Sequence, residues 1–231
     1  MEKLTLPEPA SSLWPRVRPI LDDLASRRPD IRHLFSVGGG TILASRWGHR
    51  RSQDIDVLAK QGCGLRRALE TDYSDDFVSL CERAGASEIM FVPFTATLTV
   101  SFPEGDWDLS ELDPLLPGHE SLAVVDGAEI QTLSNNQILA GKLVHRGFQG
   151  LARDIFDLAV ALSLDPTAFE QAAGLLTPTD TELLIQEIRG TAGAYRRTAP
   201  GAIHLTDPRW SDLVLQAPEA VAQALERLSR R

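Results

Sequence analysis

The chain has 231 residues, 43% of them hydrophobic and 24% charged, with 32 acidic against 23 basic side chains and a net charge of −9. That length supports one sizeable core or two small lobes, and no apolar run is long enough to span a membrane. The acidic balance argues against broad, non-specific nucleic-acid binding. Two cysteines without metal-type spacing, and an N-terminus of Glu2 and prolines in place of an export signal, predict a reducing cytoplasm.

Taken in chain order, Leu13, Trp14, Val17, Ile20, Leu21 and Leu24 recur at helical spacing, with Pro19 predicting a helix start near that residue. Residues 31–37 read as a strand. The next stretch, to Leu58, reads as glycine turn, short helix, basic loop and second strand. Gly38, Gly39 and Gly40 lack a Cβ, so the backbone can turn tightly and offer N–H groups to a phosphate. Thr41 adds a hydroxyl at the start of a helix whose first N–H groups attract anions. Asp54 and Asp56 stand two apart in an apolar strand, so both carboxylates leave one face. Such a pair suits Mg²⁺, which takes hard oxygen ligands and completes its shell with phosphates and water. Arg46, His49, Arg50 and Arg51 lie between the turn and the carboxylates, where cations would meet a triphosphate or an RNA backbone. Ser52 could donate to a phosphate or cap the loop. Together these residues read as a nucleotide site.

Residues 65–84 predict a helix that carries Cys81, while Arg66 and Arg67 read as solvated surface. Residues 88–94 and 95–102 predict two strands parted near Pro93; in the second, Leu98, Val100 and Phe102 alternate with Thr97, Thr99 and Ser101. Asp106 and Asp108 read as acids of the following loop. Residues 121–125 and 128–132 flank Asp126-Gly127, a two-residue hairpin turn. The expected fold is α/β (α+β): a mixed sheet of about five strands with flanking helices, followed by a helical bundle.

From Ser134 the pattern turns helical, with Ser134 and Gln137 spaced as a capping box. A second helix has Ile155, Phe156, Leu158, Ala159 and Leu162 as core positions, and its Asp154 and Asp157 share a face. Residues 166–176, 179–189 and 219–230 predict further helices, and residues 191–209 a loop. The boundaries expected are 1–133 for the α/β core and 134–231 for a helical lobe that completes the active-site cleft.

The run Gly-Gly-Gly-Thr-X-Leu-X-X-Arg-X-X-His-Arg-X-Ser-X-Asp-Ile-Asp, residues 38–56, resembles the first motif of the AbiEii/AbiGii-type nucleotidyltransferases. These include the toxins of the AbiE and MenT toxin–antitoxin systems, within the DNA polymerase β-like nucleotidyltransferase superfamily. Residues 139–143 and 153–158 are similar to that family's later lysine and Arg-Asp-X-X-Asp motifs. The resemblance implies that Lys142 contacts nucleotide phosphates and that Asp157 or Asp154 supports the site. It implies an Mg²⁺-dependent transfer of NMP from an NTP to an acceptor hydroxyl, with a tRNA 3′ end as acceptor and an antitoxin as partner. One departure stands out: the superfamily's third carboxylate has no counterpart on the strand ending at Phe102, which offers Thr99 and Ser101. That departure motivates the alternative of a nucleotide- or antitoxin-binding homologue without turnover. A small-molecule (antibiotic) nucleotidyltransferase is the other alternative.

Overall fold

The computed structural model describes residues 1–27, 35–60, 74–92, 97–118, 120–144 and 152–230. The chain divides into two compact units: Met1–Arg46, Ser52–Pro114 and Glu120–Leu133 form one, and Trp47–Arg51, Leu115–His119 and Ser134–Arg231 form the other.

The first unit is a mixed sheet with helices. Its elements are β1 (Glu2–Leu4), α1 (Ala10–Arg27), β2 (Phe35–Gly38), α2 (Gly39–Trp47), β3 (Ile55–Ala59), α3 (Ser74–Arg83), β4 (Glu88–Val92), β5 (Thr97–Phe102), β6 (Gly105–Glu111), β7 (Glu120–Val125) and β8 (Ala128–Leu133). Among the described residues these strands make one eight-stranded sheet in the order β1-β7-β8-β2-β3-β6-β5-β4. The pairs β1/β7, β2/β8 and β3/β6 are parallel and the rest antiparallel. Ile55, Val57, Leu98, Val100, Trp107 and Leu109 alternate onto a fully buried face, and α1 packs against β3 and β6. The turn Asp126-Gly127, with both residues at positive φ, closes the β7–β8 hairpin as its dipeptide predicts.

Three expectations change here. The helix placed near Pro19 begins at Ala10 and runs through Pro15 and Pro19, because the stripe Leu13, Trp14, Val17, Ile20, Leu21 and Leu24 is buried and outweighs the lost N–H donors. The sheet has eight strands where about five were expected: β1 and β6 join the six strands read from the sequence. Most consequential, Asp106 and Asp108 are not loop residues but lie on β6. The helix expected over residues 65–84 is described from Ser74 onward, and Cys63, Arg66 and Arg67 lie outside the described residues.

The second unit is helical: α4 (Asn135–Val144), α5 (Ala152–Leu164), α6 (Pro166–Ala173), α7 (Pro178–Ala202), a 3-10 turn at Pro208–Trp210 and α8 (Ser211–Ser229). Phe156, Phe169, Leu184, Ile188, Val221 and Leu225 form its core. Asp165 caps α6 by accepting from the Ala168 N–H, and Thr177 with Asp180 makes a capping box on α7. Residues 191–202, expected as loop, continue α7, because Tyr195 and Ala199 extend the buried stripe of Leu184 and Ile188. Gln137 does not reach back to Ser134; its Oε1 accepts from the Leu115 and Leu116 N–H groups, each at 3.0 Å.

Candidate active site

In the first unit the glycine turn meets a carboxylate directly. β2 runs antiparallel to β3 with Gly38 opposite Asp56, and α2 begins at Gly39, whose φ of +67° suits glycine. A Cβ on Gly39 would lie 1.6 Å from Asp56 Oδ2, and one on Gly38 would lie 2.5 Å from the Leu133 side chain. At Gly38 a Cβ would require the Leu133 side chain to shift, and at Gly39 the positive φ and the Asp56 carboxylate lying against the backbone both favour glycine. The first turn of α2, Gly39-Gly40-Thr41, carries no acidic residue of its own, and the N–H groups of a helix's first turn suit an anion.

The neighbouring strand brings more acid. β3 and β6 are parallel with Asp56 paired to Asp108, and β5 places Thr99 opposite Asp108. Gly38, Asp56, Asp108 and Thr99 thus form one rung across four adjacent strands. Thr99 Oγ1 donates to Asp108 Oδ1 at 2.6 Å. Asp54 precedes β3, and its Oδ1 lies 3.5 Å from the Asp106 N–H. Gly105 makes this approach possible, because a Cβ there would meet the Gln53 carbonyl at 2.4 Å. Asp54, Asp56, Asp106 and Asp108 are all half-buried, while their strand neighbours Ile55 and Trp107 are sealed in the core. The signal for β6 was present in the sequence: a Pro-Glu-Gly turn, then Asp-Trp-Asp-Leu alternating with period two.

Three residues expected to bind phosphate are engaged elsewhere. Thr41 is buried; its hydroxyl donates to the Asp54 carbonyl and lies 2.7 Å from Ser52 Oγ. Ser52, also buried, therefore helps fasten the segment that leads to Asp54. Arg46 donates to the Leu133 carbonyl at 2.7 Å and Thr132 Oγ1 at 3.2 Å, and pairs with Glu2 at 3.0 Å. Its guanidinium is committed to joining α2, β8 and β1.

In the second unit Trp47–Arg51 is fastened to the chain near α8. The Arg51 N–H donates to the His204 carbonyl at 2.8 Å, Thr206 Oγ1 to the Gly48 carbonyl at 2.6 Å, and Arg50 bridges Leu205. This segment carries Arg50 and His49 into a buried ion cluster. Arg50 grips Asp157 with two bonds, Nε to Oδ1 at 2.7 Å and Nη2 to Oδ2 at 2.8 Å, the bidentate geometry that favours arginine over lysine. Lys142 Nζ lies 3.0 Å from Asp157 Oδ2 and also bonds Asp154. His49 Nε2 donates to Asp157 Oδ1 at 2.8 Å. Asp157 and His49 are 0% exposed. Burial opposes ionisation of Asp157, yet Arg50, Lys142 and His49 hold its carboxyl well below the usual carboxylate range. Lys142 is raised above the ordinary ammonium value: burial works against its charge, and Asp157 and Asp154 outweigh it. Burial lowers His49 below the ordinary imidazole value despite Asp157 beside it. Arg50 and Lys142, expected to meet phosphate, are thus bound to carboxylates of α5, and Asp154 and Asp157 to cations.

The donor chemistry of the aspartate rung fits Mg²⁺, a hard ion usually held by one or two carboxylates together with substrate phosphates. Among the described residues no three His, Cys, Asp or Glu side chains group closely enough to cage a metal on their own. A carboxylate pair completed by a bound triphosphate matches both observations.

A family model described as nucleotidyl transferase AbiEii toxin, type IV TA system, matches residues 22–209, and the chain belongs to that family. The crystal structure of JHP933 from Helicobacter pylori is 14% identical, covers 97% of this chain and 94% of its own, and has a TM-score of 0.50. A second H. pylori chain gives 14% identity, 96% coverage of both chains and a TM-score of 0.48. At such identities the first likeness shows a shared fold. A search among curated proteins finds no match. Among the described residues no helix is long and apolar enough to cross a membrane.

Proposed function

We propose that this AbiEii-family nucleotidyltransferase moves a nucleoside monophosphate from an NTP to a hydroxyl of RNA, with Mg²⁺ bound at the β3–β6 rung. A tRNA 3′ end is the acceptor of choice, and the setting is a cytoplasm shared with a cognate antitoxin. The observation that carries this reading is the rung itself, where Asp56 lies against Gly39 on one side and is paired with Asp108 on the other.

Asp56 and Asp108 would hold the ion as a pair, with Asp54 beside the Asp106 N–H. When bound, it would supply Lewis-acid stabilisation of the phosphoryl oxygens and a template for in-line attack. Gly39, Gly40 and the Thr41 N–H, at the start of α2, bind the terminal phosphates and stabilise charge as pyrophosphate leaves. The Thr41 and Ser52 hydroxyls keep the Asp54 segment in place. In the helical unit, Asp157 fixes Arg50, Lys142 and His49 as a framework, and Asp154 pairs with Lys142.

Charge distribution is compatible with a polyanionic acceptor. The first unit carries 21 acidic and 11 basic side chains, the second 11 and 12. The excess acid of the whole chain therefore belongs to the first, while the second exposes Arg51, Arg196 and Arg197. A chain that binds nucleotide without turnover was suggested by the missing third carboxylate; Asp108, the register partner of Asp56, supplies a candidate for it.

The test is incubation of the full chain with four α-labelled NTPs, Mg²⁺ and total RNA, beside Asp56→Asn and a chelator control. Label should enter RNA with wild type alone. Label on a small-molecule acceptor instead would replace the RNA assignment. A folded wild type that labels nothing overturns the reading.

A further inference from the structure

We infer that Thr99 is a positioning residue for the divalent-cation site: its hydroxyl holds the Asp108 carboxylate in the orientation that metal binding needs. The inference rests on the function proposed above. Thr99 and Asp108 are register partners on β5 and β6, and the Thr99 hydroxyl donates to Asp108 Oδ1 at 2.6 Å. Asp108 is in turn the register partner of Asp56 on β3. Two carboxylates paired on adjacent strands repel one another, an arrangement that costs a sheet stability. An Asp side chain in that position turns about its terminal torsion unless a donor fixes it. Thr99 supplies a donor on the strand away from Asp56, and its hydroxyl fixes Oδ1.

Bulk and strand propensity do not explain the choice of threonine. Valine has the same shape and suits a strand at least as well. What threonine adds is the O–H. Hydrogen-bond partners of metal-ligating carboxylates orient the ligand, and losing one costs about 10- to 100-fold in metal affinity.

The experiment titrates Mn²⁺ into the full chain with the four α,β-methylene nucleoside triphosphates present, reading free Mn²⁺ by electron paramagnetic resonance. Thr99→Val should bind Mn²⁺ about 10- to 100-fold more weakly than wild type. Thr99→Ser, which keeps the hydroxyl, should bind close to wild type. The metal-free thermal midpoint of Thr99→Val should be unchanged, which separates positioning from folding; should that variant fail to fold, Thr99→Ala makes the same comparison. Thr99→Val binding Mn²⁺ like wild type, in a wild type that transfers label, overturns the inference and leaves the proposed function standing. A wild type that neither binds Mn²⁺ nor transfers label overturns both.

Discussion

The two units treat their carboxylates in opposite ways. In the helical unit Asp157 is sealed from water and answered by Arg50, Lys142 and His49 within 3.0 Å. In the sheet unit Asp54, Asp56, Asp106 and Asp108 crowd onto one half-buried face, where Asp108 takes a hydroxyl from Thr99 and Asp54 comes within 3.5 Å of a backbone N–H. A buried charge must be matched by its neighbours or it destabilises the fold. Half-buried carboxylates lined up on one sheet face are the donor set that the proposed Mg²⁺ site calls for. Cluster and rung are both acidic motifs in the sequence, yet one reads as framework and the other as chemistry.

The largest effects should separate them. Asp157→Ala would leave Arg50 and Lys142 buried without their shared carboxylate, and removing one partner of a buried pair costs about 3–5 kcal/mol. Set against a typical total of about 5–15 kcal/mol, that should appear as a large drop in the urea midpoint. Asp56→Asn should do the reverse: the unfolding curve stays in place or shifts to higher urea, while transfer falls about a thousandfold, equivalent to about 4 kcal/mol in the barrier. Exchange of the two outcomes would invert the assignment of framework and site.

How far the sequence revealed this division depended on distance along the chain. Turn, helix and acidic strand lie within 21 residues, from Gly38 to Leu58, and their local spacing set the fold of that unit. The partner of Asp56, Asp108, is 52 residues away, and only sheet register shows that they pair. Its strand follows a tight turn, and without knowing that β6 lies beside β3 the acids looked like loop surface. Long side chains were harder still. Arg46, Arg50 and Lys142 lie in motifs that suggest phosphate, but a cation's partner is fixed by the tertiary fold. The end of α7 was obscured by Gly190, Gly193 and Pro200, whose weak helix propensity is overridden by the burial of Tyr195 and Ala199.

A glycine from each unit sharpens the comparison at intermediate size. Gly39 and Gly48 have similar positive φ, +67° and +58°, so alanine at either adds backbone strain of roughly 1–2 kcal/mol. Their surroundings differ. A Cβ on Gly39 runs into Asp56 Oδ2, whereas one on Gly48 meets nothing within 4 Å. Both variants should lose similar stability in urea titrations. Transfer per folded molecule should fall at least about tenfold for Gly39→Ala alone, because only there is a site carboxylate displaced. Equal losses of transfer would mean that the contact with Asp56 has no catalytic consequence.

The smallest effect expected is a slope in pH. His49 is enclosed, with Trp47 and Phe156 rings near it and Arg50 and Lys142 opposing a further positive charge. Its Nε2–H serves Asp157, and Nδ1 has no hydrogen-bond partner among the described residues, as suits a neutral ring whose second nitrogen carries a lone pair. Burial sets its folded pKa below the ordinary 6.5. Above that pH both folded and unfolded chains carry the neutral ring and no penalty arises. As pH falls below about 6.5 the unfolded chain takes up a proton that the folded chain refuses, so stability declines by up to about 1.4 kcal/mol per pH unit until the folded pKa is reached. Asp157 acts in the same direction, but only below the ordinary carboxylate value of 3.8, so the two windows do not overlap near pH 5–6.5. His49→Gln keeps a donor toward Asp157 and removes the titration. Urea unfolding between pH 5 and 7.5 should therefore give a shallower slope for His49→Gln than for wild type, and parallel slopes would show that the cluster does not hold His49 neutral.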